Sequence, residues 1–393
     1  MRALDGVQVL DFGRYVAGPY CAQLLGQLGA RVIRVERPGG AEDRGLTPVA
    51  DDAGSMFLAT NIGKESITLD TRTPGGRLVL HKLVAASDVV VANLPPRGLA
   101  ALGLTLDELR RIRQDIILTT VTAFGADSDW ADRPGFDGIG QAMSGAAHLT
   151  GEPDTPLRAG VSWVDFGSAT LAALGTMAAL RERDVTGEGQ QVDAALLRTA
   201  LAFSSPALIE QAVLQNDRQA TANRGPQAAP SDIFRTRDGW IIVYAVGDAM
   251  FRRWAALIGE EEKWTTDPRL SDDARRGEHG EEISARMSRW TARLTTAEAL
   301  DRLTAARLPA APVYSPQQAL DDESLMSVAR MAPLSYPTAP RPVPSFPLPL
   351  WLSGSDKAEQ PRPPRLGEHT SGILAELGFG PDEITDLAAG GAI

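Results

Sequence analysis

The fold is decided near the N-terminus by two apolar runs, Val7-Gln8-Val9-Leu10-Asp11-Phe12 and Arg31-Val32-Ile33-Arg34-Val35-Glu36. Both runs are typical of buried strands. Between them, Pro19 suits a first helical turn, three leucines supply an apolar face, and Gly29 suits the residue after a helix. A βαβ unit of this kind implies a parallel sheet with right-handed crossovers.

The same alternation continues along the first half of the chain. Ser66–Asp70, Asp88–Asn93 and Ile116–Val121 have the apolar character of further strands. Thr105-Leu106-Asp107-Glu108 has the form of a capping box at the start of a helix, and Gln191–Ala194 suits a last strand. We therefore predict an α/β fold with a large domain built on a parallel sheet.

The second half predicts a smaller domain. Ile233–Tyr244 has the pattern of a β-hairpin around Asp238-Gly239, and helical patterns follow it, one of them opened by a capping box at Thr295. The predicted organisation is a large domain at 1–214, a polar linker at 215–231, a small α+β domain at 232–325, a Pro-rich extended return at 326–364, and C-terminal helices at 365–393 that pack on the large domain.

Composition argues against several classes of protein. The chain has 393 residues and a net charge of −11, which disfavours a nucleic-acid partner. The best candidate for a membrane span, Ala169–Leu180, is too short, so we expect no membrane association. Cys21 is the single cysteine, and with no signal-peptide pattern we expect a cytoplasmic protein. The four histidines show no metal-ligand spacing, so we expect no metal.

The βαβ unit also invites a dinucleotide-binding interpretation, because Glu36 ends the second strand where a ribose-binding acid would lie. The first turn, Gly13–Pro19, lacks the G-x-G-x-x-G spacing. Pro19 also lacks one of the N–H groups that would face a pyrophosphate. A nicotinamide or flavin oxidoreductase is therefore disfavoured.

A reactive carboxylate is suggested by Gly160-Val161-Ser162-Trp163-Val164-Asp165-Phe166-Gly167-Ser168. The helix-forming run Ala169–Leu180 follows directly, which places Asp165 at or near a helix N-terminus. Unpaired N–H groups and the helix dipole favour an ionised carboxylate there, and such a group can attack an acyl carbon. An aspartate at this position can also serve only as a helix N-cap.

The motifs around Asp165 belong to a larger set that resembles the family III CoA-transferases over nearly the whole chain. The set comprises Leu4–Phe12 with Ala17-Gly18-Pro19, Leu28–Arg37, Arg133-Pro134-Gly135-Phe136-Asp137, Leu149–Pro153, Gly187–Leu196, Ala222-Asn223-Arg224-Gly225, the Phe234-to-Trp240 hairpin, Leu308–Val313 and Arg365–Thr370. The resemblance implies a Rossmann-like large domain, a small domain joined to it by two long linkers, and an interlocked homodimer.

The resemblance also implies the chemistry. Asp165 would be the covalent nucleophile that accepts CoA from an acyl-CoA donor and passes it to a small carboxylic acid. CoA would be a substrate on the large domain, with no tightly bound cofactor, and backbone N–H groups near Phe166-Gly167 would stabilise the oxyanion. The positions expected to contact CoA are Val16, Arg37, Leu69, Arg72, Asn93, Leu94, Arg97, Phe136 and Asp137.

Two departures from related patterns narrow the prediction. Formyl-CoA:oxalate members carry a glutamine at the position of Val16, which makes oxalate an unexpected acceptor. The related α-methylacyl-CoA racemases carry a proton-transferring histidine at the position of Phe136. The phenyl ring of Phe136 cannot transfer a proton. A racemase is therefore the runner-up, and a non-catalytic CoA-binding dimer is the alternative from another class.

Overall fold

The computed structural model describes residues 2–356 and 361–393, and the chain divides into two compact units. The first unit comprises the described parts of Met1–Ala146, Ala159–Glu210 and Ser327–Ile393, and the second comprises Ala147–Arg158 and Gln211–Met326. Residues 147–158 therefore group with the second unit, which corrects their placement in the large domain. One hydrogen bond that joins residues 147–158 to the rest of the second unit runs from the Ala222 N–H to the Gly151 carbonyl at 2.7 Å.

Helices and strands alternate through most of the described residues. In chain order the strands are β1 (Gln8–Asp11), β2 (Arg31–Glu36), β3 (Pro48–Ala50), β4 (Ala53–Gly54), β5 (Glu65–Thr68), β6 (Val89–Ala92), β7 (Ile117–Thr122), β8 (Gly151–Glu152), β9 (Thr155–Pro156), β10 (Gln191–Ala195), β11 (Ser231–Arg235), β12 (Trp240–Tyr244), β13 (Ala310–Pro312), β14 (Ala332–Leu334) and β15 (Val343–Ser345). The α-helices are α1 (Ala17–Gln27), α2 (Ser55–Thr60), α3 (Pro74–Ala85), α4 (Pro96–Leu102), α5 (Leu106–Ile112), α6 (Asp137–Met143), α7 (Trp163–Thr186), α8 (Leu196–Phe203), α9 (Ser205–Leu214), α10 (Asp248–Leu257), α11 (Glu261–Thr265), α12 (Asp273–Glu278), α13 (Gly280–Thr291), α14 (Thr296–Ala305), α15 (Pro316–Asp321), α16 (Glu323–Val328), α17 (Thr370–Glu376) and α18 (Pro381–Ala389). Short 3-10 turns lie at Glu42–Gly45 and Pro268–Leu270.

The first unit is built on a six-stranded parallel sheet with the strand order β10-β7-β6-β1-β2-β5. The predicted βαβ unit is confirmed, since β1 and β2 pair in parallel with Gln8 opposite Arg31. The direction of chain progression reverses at β1, which has β2 on one side and β6 on the other. Open α/β sheets bind ligands beyond the carboxyl ends of the strands at such a reversal.

Alternate side chains of the strands fill two cores, one on each face of the sheet. In β1, Val9 belongs to one core and Leu10 to the other. Helices α1 and α7 contribute to the first core, whereas α3, α5 and α17 contribute to the second. The C-terminal helix α17 contributes Ile373 and Leu374 to the second core, where both side chains are buried.

Helix α7 is longer than the sequence analysis predicts, because it begins at Trp163 and has Ser162 as its N-cap. Asp165 is therefore in the first turn of the helix and does not cap it. By length and composition alone α7 could cross a membrane, which corrects the prediction that the apolar run is too short. Its small residues pack in the core instead: a Cβ on Gly175 would lie 2.7 Å from Val192 Cγ1.

The second unit contains the antiparallel sheet β11-β12-β13. The predicted hairpin is confirmed, with Arg235 opposite Trp240 across β11 and β12. The helices of this unit surround a core that includes the fully buried Trp254. The predicted capping boxes at Thr105 and Thr295 are both present, so these two helix starts follow from local sequence.

The Pro-rich return packs on the first unit, a feature that the prediction of an extended linker does not include. Strands β14 and β15 form an antiparallel pair, and the nearly fully buried Tyr336 clusters with Phe57 and Leu58. Burial of these apolar side chains fixes a segment that its proline content alone predicts as a spacer. Residues 357–360 of the predicted return lie outside the described residues.

Candidate active site

The candidate site lies at the carboxyl edge of the parallel sheet, where the order of strands reverses between β1 and β6. Arg14 follows β1 and Asn93 follows β6. The Asn93 side-chain oxygen accepts the Arg14 N–H at 2.7 Å, and the Asn93 amide donates to the Arg14 carbonyl at 2.7 Å. Both the oxygen and the NH2 group of the Asn93 side chain therefore bind the loop after β1. Gly13 permits that loop, because a Cβ there would lie 2.6 Å from Pro19 Cδ.

A cavity of about 260 Å³ opens beside this loop, and we call it the Asp165 cavity. Val16, Asn93, Leu94, Phe136 and Asp165 all line it. Asp165 is the predicted nucleophile, and the other four residues are predicted to contact CoA. Tertiary structure thus brings together, around one opening, side chains that follow two different strands or lie at the starts of two different helices.

A second cavity of about 240 Å³, the arginine cavity, is lined by Arg14, Arg37, Leu69, Arg72 and Leu94 among others. Arg14 and Leu94 line both cavities, so the two openings meet at these side chains. The four predicted CoA-binding residues Arg37, Leu69, Arg72 and Leu94 therefore share this second cavity. An elongated ligand could occupy the arginine cavity with its anionic end and the Asp165 cavity with its reactive end.

The arginines of this cavity have exposed side chains with local partners. Arg72 is 85% exposed and donates to both oxygens of Asp70, at 2.9 and 2.7 Å. Arg37 donates to the Gly40 carbonyl at 2.7 Å and lies 3.4 Å from Glu42. Exposed ion pairs contribute little stability, so these guanidinium groups can exchange their partners for phosphate oxygens at small cost. Glu36, in contrast, accepts two hydrogen bonds of 2.7 Å from the buried Arg44 and is not available to a ribose.

The carboxylate of Asp165 is half-buried at the mouth of its cavity. Burial, together with the nearby charge of Asp137, raises the pKa of Asp165 to about 7. This finding corrects the expectation that the helix N-terminus holds the carboxylate ionised. The dipole of α7 still favours the anion, but desolvation and a like charge outweigh it.

Asp137 holds the start of α7 and lines neither cavity. Its Oδ2 accepts the N–H groups of Val164 at 2.8 Å and Asp165 at 3.2 Å. Its Oδ1 accepts a hydrogen bond from Gln141, whose own oxygen accepts the Ala159 N–H at 2.8 Å. The assignment of Asp137 to CoA contact is therefore corrected: this buried carboxylate caps α7 from α6.

The expected oxyanion donors at Phe166 and Gly167 are also corrected. Both residues are inside α7, and the Phe166 N–H already donates to the Ser162 carbonyl at 3.1 Å. The start of α1 offers an alternative, because Ala17 and Gly18 are its first two residues and lack intrahelical acceptors for their N–H groups. Ala17 lines the Asp165 cavity.

Two further residues line the Asp165 cavity, Arg14 and Tyr15, which no sequence motif marks as site residues. Tyr15 adopts a φ of 60°, which is uncommon for a residue with a side chain. Its ring meets Phe136 edge to face at 5.5 Å, so the pair forms one side of the Asp165 cavity. Their position in the sequence is the one feature that indicates a role in the site, because both residues closely follow the first strand of a βαβ unit.

Arg97 lies outside the lining of both cavities. It is 87% exposed and pairs with Asp132 at 3.0 Å. Its expected contact with CoA remains a prediction. Among residues 2–356 and 361–393, no group of three or more His, Cys, Asp or Glu side chains is arranged to hold a metal ion.

The fold and the site together define an α/β protein with a half-buried carboxylate of raised pKa beside an arginine-lined cleft. Comparisons with known proteins make the class specific. A sequence model of CoA-transferase family III matches residues 4–370. Succinyl-CoA–D-citramalate CoA-transferase of Chloroflexus aurantiacus is 33% identical, and the match covers 99% of this chain and 97% of that protein.

Two further comparisons support the same family. A formyl-CoA:oxalate CoA-transferase of Rhodopseudomonas palustris is 32% identical over 100% of this chain and 97% of its own. The crystal structure of a CAIB/BAIF family protein from Brucella suis superposes with a TM-score of 0.85 at 31% identity, covering 96% of this chain and 99% of that one. The chain therefore belongs to CoA-transferase family III and is an enzyme of that family.

Proposed function

We propose that this enzyme moves CoA from an acyl-CoA donor to a small carboxylic acid through a covalent intermediate on Asp165. The observation that carries this proposal is the position of Asp165, at the mouth of a cavity that meets the arginine cavity at Arg14 and Leu94. A CoA thioester has a matching form, with phosphates at one end and the reactive carbonyl at the other.

In this arrangement Arg14, Arg37 and Arg72 bind the phosphates, and the pantetheine arm passes Leu94 towards Asp165. Guanidinium groups suit phosphates because they donate two parallel hydrogen bonds to two oxygens. The Asn93 side chain acts by holding the loop that carries Arg14, rather than by contacting CoA. The site requires no bound cofactor for this chemistry, because the thioester itself is the activated group.

The reaction proceeds by acyl transfer to and from the carboxylate. The ionised Asp165 attacks the thioester carbonyl, the C–S bond breaks, and a mixed anhydride and CoA thiolate result. The thiolate then attacks the aspartyl carbonyl, which releases the donor acid and leaves an aspartyl-CoA thioester. The acceptor carboxylate reverses both steps and departs as its CoA ester. The Ala17 N–H is the candidate donor to the oxyanions formed on the way.

The raised pKa of Asp165 fits a group that must gain and lose an acyl partner repeatedly. A carboxylate with a pKa of about 7 is more nucleophilic than a solvated one, yet about half of it is ionised at neutral pH. The same pKa would also suit a general base in racemisation. Phe136 stands at the position expected for the second proton-transferring group, however, and its ring cannot exchange a proton.

We further propose that the enzyme is a homodimer, interlocked as its family resemblance implies. Helices α7, α8 and α9 expose large apolar side chains, among them Leu174, Phe203 and Ile209. Helix α9 buries none of its side chains within the chain. Contiguous exposed apolar surfaces mark protein interfaces. A cytoplasmic location also stays a proposal, based on the single cysteine.

Intact-mass analysis tests the proposed chemistry. The protein is incubated with acyl-CoA esters and then with hydroxylamine, which converts an aspartyl thioester into a stable hydroxamate. We expect the modification to map to Asp165 and to be lost in Asp165→Ala, while Asp184→Ala, an exposed position on the same helix, retains it. Incorporation of deuterium from heavy water at the substrate α-carbon without any protein adduct would support the racemase instead. If neither signal appears while CoA still binds, the non-catalytic alternative gains support.

A further inference from the structure

A third cavity, of about 580 Å³, shares Val16 with the Asp165 cavity. Val16, Ser162 and Phe166 form one wall, and residues 339–344 with Phe346 form another. The Pro-rich return, which packs on the first unit, therefore supplies part of a pocket. We call this opening the third cavity.

The third cavity is next to the reactive carboxylate. Val16 lines both this cavity and the Asp165 cavity, and Phe166 directly follows Asp165 in the chain. The Phe166 ring is held by an edge contact with Tyr20 at 4.8 Å between centroids. An acyl group whose carbonyl lies at Asp165 can therefore extend past Val16, away from the CoA arm.

The lining of the third cavity combines mainly apolar residues with one charged side chain. The walls are mainly apolar and include Met56, Leu58 and Val343. Arg341 is the one charged side chain among the lining residues. Within residues 2–356 and 361–393, no carboxylate lies at ion-pair distance from the Arg341 guanidinium. A ligand that fills this cavity thus meets apolar surface first and a single cation at the rim.

We propose that the third cavity binds the acyl group and that Arg341 selects dicarboxylic acids. This inference rests on the proposed function of the Asp165 site. One carboxyl group of the acid becomes the thioester at Asp165, the methylene chain crosses the apolar walls, and the second carboxylate pairs with Arg341. A monocarboxylic acid loses its only charge on forming the thioester and leaves Arg341 without a partner.

Arg341 is accordingly a specificity-determining residue. Guanidinium and carboxylate groups form bidentate, charge-assisted hydrogen bonds, so removing the cation should affect only those acids that keep a free carboxylate. The lining also carries the hydroxyl groups of Ser55, Thr60 and Ser162, so the second carboxylate, rather than a substituent along the chain, is the group that Arg341 distinguishes.

Isotope exchange tests the inference with one acid at a time. The rate at which a labelled free acid enters its own CoA ester is measured for matched pairs: succinate and butyrate, glutarate and valerate, adipate and hexanoate. Because donor and acceptor are the same acid, each assay reports one acyl group and the CoA portion is constant. The variants are Arg341→Gln and Arg341→Lys. The control is Arg330→Gln, on the same Pro-rich return but in the lining of a different cavity.

We expect wild-type kcat/KM to favour the dicarboxylic member of at least one pair by about tenfold or more, as for one charge-assisted hydrogen bond. Arg341→Gln should remove that preference and leave the monocarboxylic rates unchanged, Arg341→Lys should keep part of it, and Arg330→Gln should keep it all. Equal exchange of both members of every pair, or an equal loss for both in Arg341→Gln, overturns the inference alone. No exchange with any acid overturns it together with the proposed function.

Discussion

The side chain of Asp137 accepts the backbone N–H of Asp165 at 3.2 Å, although the two residues are 28 positions apart. The same carboxylate oxygen accepts the Val164 N–H at 2.8 Å. One buried anion therefore positions the start of α7 and places a negative charge beside the proposed nucleophile. The geometry of the nucleophile and its protonation are thus coupled through a residue that does not line the cavity.

The first prediction concerns pH. Only the ionised form of Asp165 can attack a thioester, and its pKa is raised to about 7. We expect kcat/KM for CoA transfer to fall tenfold per pH unit below about pH 7. Asp137→Asn removes the neighbouring charge, which should lower the pKa of Asp165 and move the acid limb to lower pH. A profile that is flat down to pH 5, or an unmoved limb in Asp137→Asn, would contradict this assignment.

A second prediction separates the contribution of the Asp137 side-chain oxygen to stability from the effect of its charge. Asp137→Ala leaves the N–H groups of Val164 and Asp165 without their acceptor, which should cost about 1–3 kcal/mol of unfolding free energy. Asp137→Asn keeps a side-chain oxygen and should lose less. Urea unfolding of both variants measures the difference. Equal stability of the alanine and asparagine variants would show that the side-chain oxygen does not stabilise α7.

The arginine cavity yields a third prediction. Replacing Arg14, Arg37 or Arg72 with glutamine should raise KM for an acyl-CoA ester about 3- to 10-fold, as expected for the loss of one exposed charge-assisted contact. The value of kcat should change little, because the phosphates lie far from the reacting carbonyl. Arg97→Gln is the comparison, since Arg97 lies outside both cavities. An equal effect in Arg97→Gln would show that the cavity lining does not separate the arginines that contact CoA from those that do not.

A fourth prediction concerns the buried charges beneath the loop after β1. The Lys64 ammonium donates to Asp11 at 2.7 Å, to the Pro19 carbonyl at 2.7 Å and to Asn61 at 2.9 Å. Lys64→Met leaves the fully buried Asp11 carboxylate without its closest cation and should cost about 3–5 kcal/mol. We expect the double variant Asp11→Asn, Lys64→Met to be more stable than Lys64→Met alone, because it removes the unpaired charge. Chemical unfolding in the same buffer decides between these outcomes.

Local patterns predict the secondary structure well in this chain. β2 spans the predicted residues, and the helices after Thr105 and Thr295 begin at their capping boxes. Each depends on side chains within a few positions of one another, so sequence suffices. The Pro-rich return is different, because Tyr336 packs on Phe57 and Leu58 from a distant part of the chain. Its proline content predicts a spacer and carries no sign of that packing.

The sequence by itself determined the α/β class, the strand and helix starts, and the aspartate at the centre of the site, because each is written in short-range periodicity or in a contiguous motif. Only the tertiary structure decided that Asp137 caps α7, that Arg14 joins the site, that the pKa of Asp165 is raised, and that Arg341 lies at the rim of the third cavity. These features depend on distances, burial and charge between residues far apart in the chain, and such quantities exist only once the sheet, helices and Pro-rich return have packed together.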